Sequence, residues 1–276
     1  MWKLKGTIPT KQASLIAFVG LVFFASLWHF ITLMEFVPRT ILPNPVKVAE
    51  SYGELISFHH KTYGNMWDRL LYSMKLNLMG YAEATVISVI VGFLLGLFAP
   101  IRAFFGMYLN AARYVPLTAI TGIMVAWFGL HDTMKVQFLS LGILVYMIPT
   151  VAARVQETLD VHLHTAQTLG ATPWQKVLTI FFPDVLRRVS TDIINLTAIS
   201  WTYIIIAEMM NNTGGIGAMM WECSRRSRYE QMYALLFLII AVGIVQDKVL
   251  TSVDKMLFPD KYNSAAKNPF MSNSKR

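Results

Sequence analysis

Two apolar runs, Ala13–Met34 and Leu76–Phe98, constrain this chain more than any other feature. They are 22 and 23 residues long, and the only acidic or basic side chain in them besides His29 is Glu83. An α-helix rises ~1.5 Å per residue, so each run reaches across the ~30 Å hydrocarbon layer of a bilayer. Inside lipid the backbone must satisfy its own hydrogen bonds, which makes the helix the natural form. Four further runs read as spans: about Tyr114–Leu130, about Met134–Ala153 with Pro149 interrupting it, about Thr191–Met210, and about Met232–Val249, which runs into Asp247 and Lys248. Hydrophobic residues make up 55% of the chain and charged residues 14%, with a mean hydropathy of +0.47. That balance excludes an ordinary soluble domain. The expectation is an all-α integral membrane protein with six transmembrane helices over residues 1–258, followed by a polar, disordered tail at 259–276.

An even number of spans puts both termini on one side. The basic start, "MWKLKGTIPTKQ", precedes a run too long for a signal-peptide core and shows no small-residue cleavage site, so it reads as a retained first span. With the termini inside, fifteen of the 24 Lys and Arg face inward, which favours cytoplasmic termini. The net charge of +8 then reflects contact with anionic membrane lipid rather than nucleic acid. The single cysteine, Cys223, excludes an internal disulfide. No cofactor or metal site is expected.

Within span two, Gly80, Ala84, Ser88, Gly92 and Gly96 recur every four residues and form a flat ridge. Such a ridge suits close helix packing, either inside the chain or against a second subunit. After span one, "LPNP" at 42–45 makes a turn, and "VKVAESYGELISF" has helical periodicity suited to the outer interface. Polar groups within spans are costly and mark a path for solute. Glu208, Trp201 one face-repeat earlier, and more weakly Asn195 and Ser200, are candidates to line it. Glu208 has an alternative role, capping a backbone turn at Gly214, Gly215 and Gly217. His29 and Glu83 are read as lying near span ends, where they reach the interface. The arginines around Ser227 form either an anion or partner site or a solvated face.

The most informative stretch lies between spans four and five, "HTAQTLGATPWQKVLTIFFP", His164 to Pro183. Val155 to Leu169 is expected to be a helix that ends at Gly170, where a left-handed residue costs glycine nothing. Thr172 is an N-cap with Pro173 in the first turn and Gln175 at the capping-box position. Trp174, Val177, Leu178 and Phe181 form an apolar stripe, and Pro183 ends the second helix. Taken alone, this is a water-exposed helix pair and a connector at the membrane surface.

The same residues resemble a motif of the permeases of bacterial ABC importers: Glu-Ala-Ala, three residues, Gly, nine residues, Ile, any residue, Leu, Pro. The matching positions are His164, Thr165, Ala166, Gly170, Ile180, Phe182 and Pro183, with the spacing kept. His164, Thr165 and Phe182 depart from the motif. "LPNP" is similar to the Leu-Pro-Ser-Pro of the nitrate/sulfonate/taurine/bicarbonate branch. "WFGL" at 127–130, "MIPTV" around Pro149 and "IIAEMMNNTGGIG" at 205–217 resemble further segments of that branch. The likeness spans roughly residues 10 to 258.

This resemblance implies a type I ABC importer permease, multi-pass in the bacterial inner membrane. A coupling helix between spans four and five would dock an ATPase through Asp160, His164, Thr165, Ala166, Gly170, Ala171, Ile180 and Pro183. Because His164 replaces a carboxylate, either Asp160, one turn earlier, takes over the ion pair there or the docking contact is mostly apolar. The implied partners are a second permease copy in a homodimer, two ATPase subunits and an extracytoplasmic substrate-binding protein. The implied solute is a small anion such as nitrate, a sulfonate, taurine or bicarbonate. No Gly-Lys pair occurs in the chain, so it holds no phosphate-binding loop and is not expected to be an enzyme. Two rivals fit less well. A secondary transporter or channel would show inverted repeats and charges at mid-membrane. An intramembrane enzyme would pair catalytic residues within a span.

Overall fold

The computed structural model describes residues 9–38, 41–57, 65–158, 160–211 and 213–266, and these are helical with no strand. In chain order the helices are α1 (Thr10–Leu33), α2 (Pro45–Ser57), α3 (Met66–Leu97), α4 (Ala99–Ala112), a 3₁₀ turn (Leu117–Ile120) leading into α5 (Thr121–Phe128), α6 (Asp132–Gln156), α7 (Asp160–Thr168), α8 (Pro173–Lys176), a π turn (Val177–Phe181), α9 (Phe182–Met210), α10 (Gly215–Arg225), α11 (Tyr229–Leu257) and α12 (Pro259–Ala266). Five segments are long and apolar enough to cross a membrane: 12–33, 66–97, 132–156, 173–210 and 229–257.

The expected third span is not a straight helix. Pro116 has no N–H to continue α4, and the chain turns by 93° between α4 and the segment 117–128. Gly129, at φ +68°, then stops α5 after eight residues. Topology nevertheless requires a crossing here. Gly80 lies against Val136 and Leu139, Gly92 against Val151 and Gly96 against Val155, so α3 and α6 run in the same direction. The chain between them must return through the membrane, and the bent pair is the sixth span.

These contacts also settle the small-residue ridge. A Cβ on Gly92 would lie 2.5 Å from Val151 Cβ, and one on Gly96 would lie 2.4 Å from Val155 Cβ. Ala84 and Ser88 are fully buried. The ridge is occupied by α6 of the same chain and is not a free subunit interface. The branched valines fill the space that glycine leaves, which lets two backbones approach closely.

Helix α9 runs antiparallel to both. It meets α3 through Tyr81 Oη donating to Ile193 O, Asn77 Nδ2 to Ser200 Oγ (3.0 Å), and Ser73 Oγ to Glu208. It meets α6 at Tyr203, packed on Phe138 and Gly142. Helix α6 passes through Pro149 unbroken, and Thr150 Oγ1 donates back to Tyr146 O (2.8 Å) in the turn that the proline disturbs. Helix α11 packs on α9 with Trp201 Nε1 donating to Gln246 Oε1 (2.7 Å). At the start of α11, α2 lies across it, with Tyr52 Oη donating to Ala234 O (2.7 Å). Helix α1 touches the rest mainly where Trp28 meets Tyr233 and Phe237, and most of its apolar surface is exposed. The resulting directions put the start of α1 and the end of α11 on the same face as the 157–181 segment.

Helix α3 starts ten residues before its apolar run. Asn65 caps it, accepting from Trp67 N and Asp68 N while Asp68 accepts from Asn65 N. The extra turns bury Arg69 and Ser73 against protein, and Asn77 just inside the run is buried as well. This corrects the depth of Glu83, which sits in the middle of α3 rather than near an end. The segment expected as a polar tail begins with α12, and residues 267–276 lie outside the described residues.

Candidate functional site: the segment between α6 and α9

The connection expected as one helix from Val155 to Leu169 is two pieces. Helix α6 ends at Gln156, with Val155 buried beside Gly96, and α7 starts at Asp160. Helix α7 closes as the sequence predicts. Gly170 adopts φ +77°, Gly170 N donates to Gln167 O (3.0 Å) and Ala171 N reaches back to Ala166 O (2.9 Å). This is the six-to-one closure of a glycine-terminated helix. The next helix starts on the expected capping box: Gln175 N donates to Thr172 Oγ1 (3.3 Å) and Thr172 N to Gln175 Oε1 (2.8 Å).

Pro183 does not end that helix. A π turn absorbs it: Phe182 N reaches five residues back to Val177 O, and the proline falls in the first turn of α9, where no N–H is needed. Residues 173–210 therefore form one continuous rod.

The segment is polar in its backbone closures and apolar on its outer surface. Leu169 is 81% exposed and Trp174 68%. Thr165, Ala166, Leu169, Ile180 and Pro183 line one groove of about 500 Å³, with Asp184 and Arg187 at its rim. His164 and Gly170 are exposed, Ala171 is half-buried, and a Cβ on Gly170 would meet nothing within 4 Å. The structure thus brings Thr165, Ala166, Ile180 and Pro183 into one groove; His164, Gly170 and Ala171 lie on the same segment but do not line it, and the side chain of Asp160 lies outside the described residues.

Arg154 anchors this segment. Its guanidinium forks onto Asp192 (2.8 and 3.0 Å) and also reaches Glu157 (2.9 Å). Arg188 joins Asp184 (2.7 Å) and Glu157 O (3.1 Å). Planar, bidentate pairing gives direction as well as energy. Sequence reasoning passed over this network, because no spacing rule links residue 154 to residue 192.

The three candidate path residues do not share one surface. Asn195 is exposed in a polar cleft of about 530 Å³ with Arg154, Arg187, Asp192 and Lys261. Trp201 is 4% exposed, held by Gln246, and borders an apolar groove of about 560 Å³ between α9, α10 and α11. Glu208 is fully buried at the start of α10. Its carboxylate accepts from Ser73 Oγ (2.7 and 2.9 Å) and Gly217 N (2.8 Å), and Ile216 N donates to Ser73 Oγ (2.9 Å). Gly214 and Gly215 have φ of +96° and +86°, and a Cβ on Gly215 would overlap the Glu208 carboxyl. This is the capping geometry, with an anion where the helix N-terminus presents free N–H groups. Next to it, the fully buried Lys135 donates to Tyr72 Oη (3.0 Å) and Thr213 Oγ1 (2.9 Å). The arginines at 225, 226 and 228 are exposed.

Comparison with known proteins follows the same lines. The taurine transport system permease protein TauC of Escherichia coli is 22% identical over 257 residues, covering 93% of this chain and 94% of that one. The nitrate import permease protein NrtB of Synechococcus elongatus is 22% identical over 259 residues, covering 91% and 92%. In fold, the chain resembles a subunit of the inward-facing MetNI methionine ABC transporter, with a TM-score of 0.58 at 16% identity over 69% of this chain and 96% of that one. It also resembles an amino acid ABC transporter, with a TM-score of 0.54 at 15% identity over 76% and 95%. Residues 84–259 match the family described as binding-protein-dependent transport system inner membrane component. With the helix pair at 160–176 and the rod that continues it into the membrane, the chain belongs to that family: it is a multi-pass permease subunit of an ABC importer, a non-catalytic component that works with ATPase subunits and a substrate-binding protein.

Proposed function

We propose that two copies of this chain form the path of an importer in the bacterial inner membrane, with both termini and the 157–181 segment in the cytoplasm. The observation that carries the reading is the exposed apolar surface made by Leu169 just after α7, Trp174 on α8 and Leu178 on the π turn, set on a rod that enters the membrane without a break. A water-facing segment with Leu169 and Trp174 this exposed has the makings of a contact surface. Its partner is an ATPase subunit, which pushes on the rod. The ridge on α3 is filled from within and lends no support to the homodimer. That part of the reading rests on family resemblance and on the exposed faces of α1 and α11. The solute is a small molecule of the kind carried by the relatives, a sulfonate, taurine or nitrate, delivered from outside by a binding protein.

Gly170→Trp tests the docking. The backbone there costs any L side chain ~1 kcal/mol, and the open space around it means that the added bulk meets only a partner. Bulk forced into a packed contact costs ~1–3 kcal/mol more, so association weakens by about tenfold to a thousandfold. The variant inserts and folds but loses the copurifying ATPase and transport, while Thr165→Ala keeps both. Full ATPase retention with transport in the Gly170→Trp protein would show that the segment is only a connector.

A further inference from the structure

Glu83 lies 17 residues from the start of α3 and 14 from its end, roughly 25 Å and 21 Å along the axis. It is the carboxylate nearest the middle of the span. Gln137 Nε2 donates to both of its oxygens, at 2.9 and 3.0 Å. Among the described residues no cation pairs with it. A carboxylate has about four acceptor positions, and one amide nitrogen leaves most of them unfilled. The pair is half-buried.

The surroundings of the pair are apolar. Met79, Val86 and Ile90 are exposed on the same side of α3. Further along, the groove between α3 and α6 is filled by α4, whose Ile101 and Leu109 pack on Leu95, Ile148 and Ala152. Beyond the 93° bend the chain packs instead on α6 and α9, where Leu117, Met124 and Val125 meet Met134, Phe138 and Ala207, and Glu83 and Gln137 remain half-buried. An intramembrane carboxylate normally faces a partner or a water-filled path rather than hydrocarbon. Glutamine fixes the carboxylate's direction without neutralising it.

We propose that Glu83 and Gln137 form a solute contact point within the membrane, open to water, that takes a positively charged or N–H-bearing group. This rests on the permease reading and narrows its solute. A bare inorganic anion would be repelled here, whereas the ammonium end of a zwitterion such as an aminosulfonate fits a preoriented carboxylate.

The test uses the assembled importer with Cys223→Ser as background and two thiol reagents of similar size and opposite charge, trimethylammonioethyl and sulfonatoethyl methanethiosulfonate. Gln137→Cys should react, and the cationic reagent should be favoured about tenfold after correction for its rate with a free thiol, as expected of a single-signed charge in a low-dielectric cleft. Adding Glu83→Gln should remove the preference. Leu141→Cys, one turn along α6 with Gln137 intact, should behave in the same way. If neither Gln137→Cys nor Leu141→Cys reacts with or without nucleotide, lipid or a second copy covers the face and the proposal fails. It also fails if the charge preference survives Glu83→Gln. ATPase turnover in the same preparation reports on the importer reading separately, so the two can fail independently.

Discussion

Replacing Glu208 with alanine should release α10 from the rest of the protein. Its carboxylate is the acceptor for Gly217 N at 2.8 Å and for Ser73 Oγ at 2.7 Å, all in a site closed to solvent. A buried donor left without a partner costs ~1–3 kcal/mol, and two such donors plus a small cavity make ~3 kcal/mol or more. Cys223 provides the readout. It is the only cysteine, sits on α10 and is 6% exposed. A thiol reagent reaches it only when α10 opens, so its labelling rate follows the free energy of that local opening. At ~1.4 kcal/mol per factor of ten, the alanine variant should label at least about a hundredfold faster. Glu208→Gln keeps the shape but points an amide N–H at one of the two donors, and should fall between. Unchanged labelling in Glu208→Ala would refute the reasoning, because the cap would then not be what holds α10.

Two further outcomes follow from the packing and the charges. Gly96→Leu should lower the unfolding midpoint of detergent-solubilised protein, since its Cβ would lie 2.4 Å from Val155 Cβ and overpacking costs ~1–3 kcal/mol; Gly243→Leu, with nothing within 4 Å, should not, and equal midpoints would overturn the account of the ridge. Burial, with the Glu222 carboxylate second, pushes the Cys223 thiol up to about 11. Below the unfolded value of ~8.5 both states keep the proton. Above it the unfolded chain ionises first, so stability falls as pH rises from there towards 11. Cys223→Ser should show a shallower decline over that range by tryptophan fluorescence, and parallel curves would remove the thiol from the explanation.

The spans were legible because long apolar runs leave few alternatives, and the helix closures at Gly170 and Thr172 were legible because glycine and capping residues act locally. Hydropathy averages over a window, so it read Tyr114–Leu130 as one span and missed the break that Pro116 makes. It also began span two only at Leu76, because Asp68, Arg69, Ser73 and Lys75 precede it. Arg69 and Ser73 are helical and buried because protein, not lipid, surrounds them, and missing these turns placed Glu83 near a span end instead of in the middle of α3. The Arg154–Asp192 fork and the Ser73–Glu208 bond join distant parts of the chain, and no local pattern announces such partners.

The π turn at 177–181 fixes how the two ends of the rod are clocked. One extra residue in a helix rotates everything beyond it by about 100° relative to a regular spiral. The direction in which Trp174 points, viewed down the axis from Glu208, is therefore set by those five residues and not by either end. Removing one of them would swing the exposed surface around Leu169 and Trp174 by about 100° and draw it some 1.5 Å towards the membrane, with every side chain of that surface and of the span left unaltered.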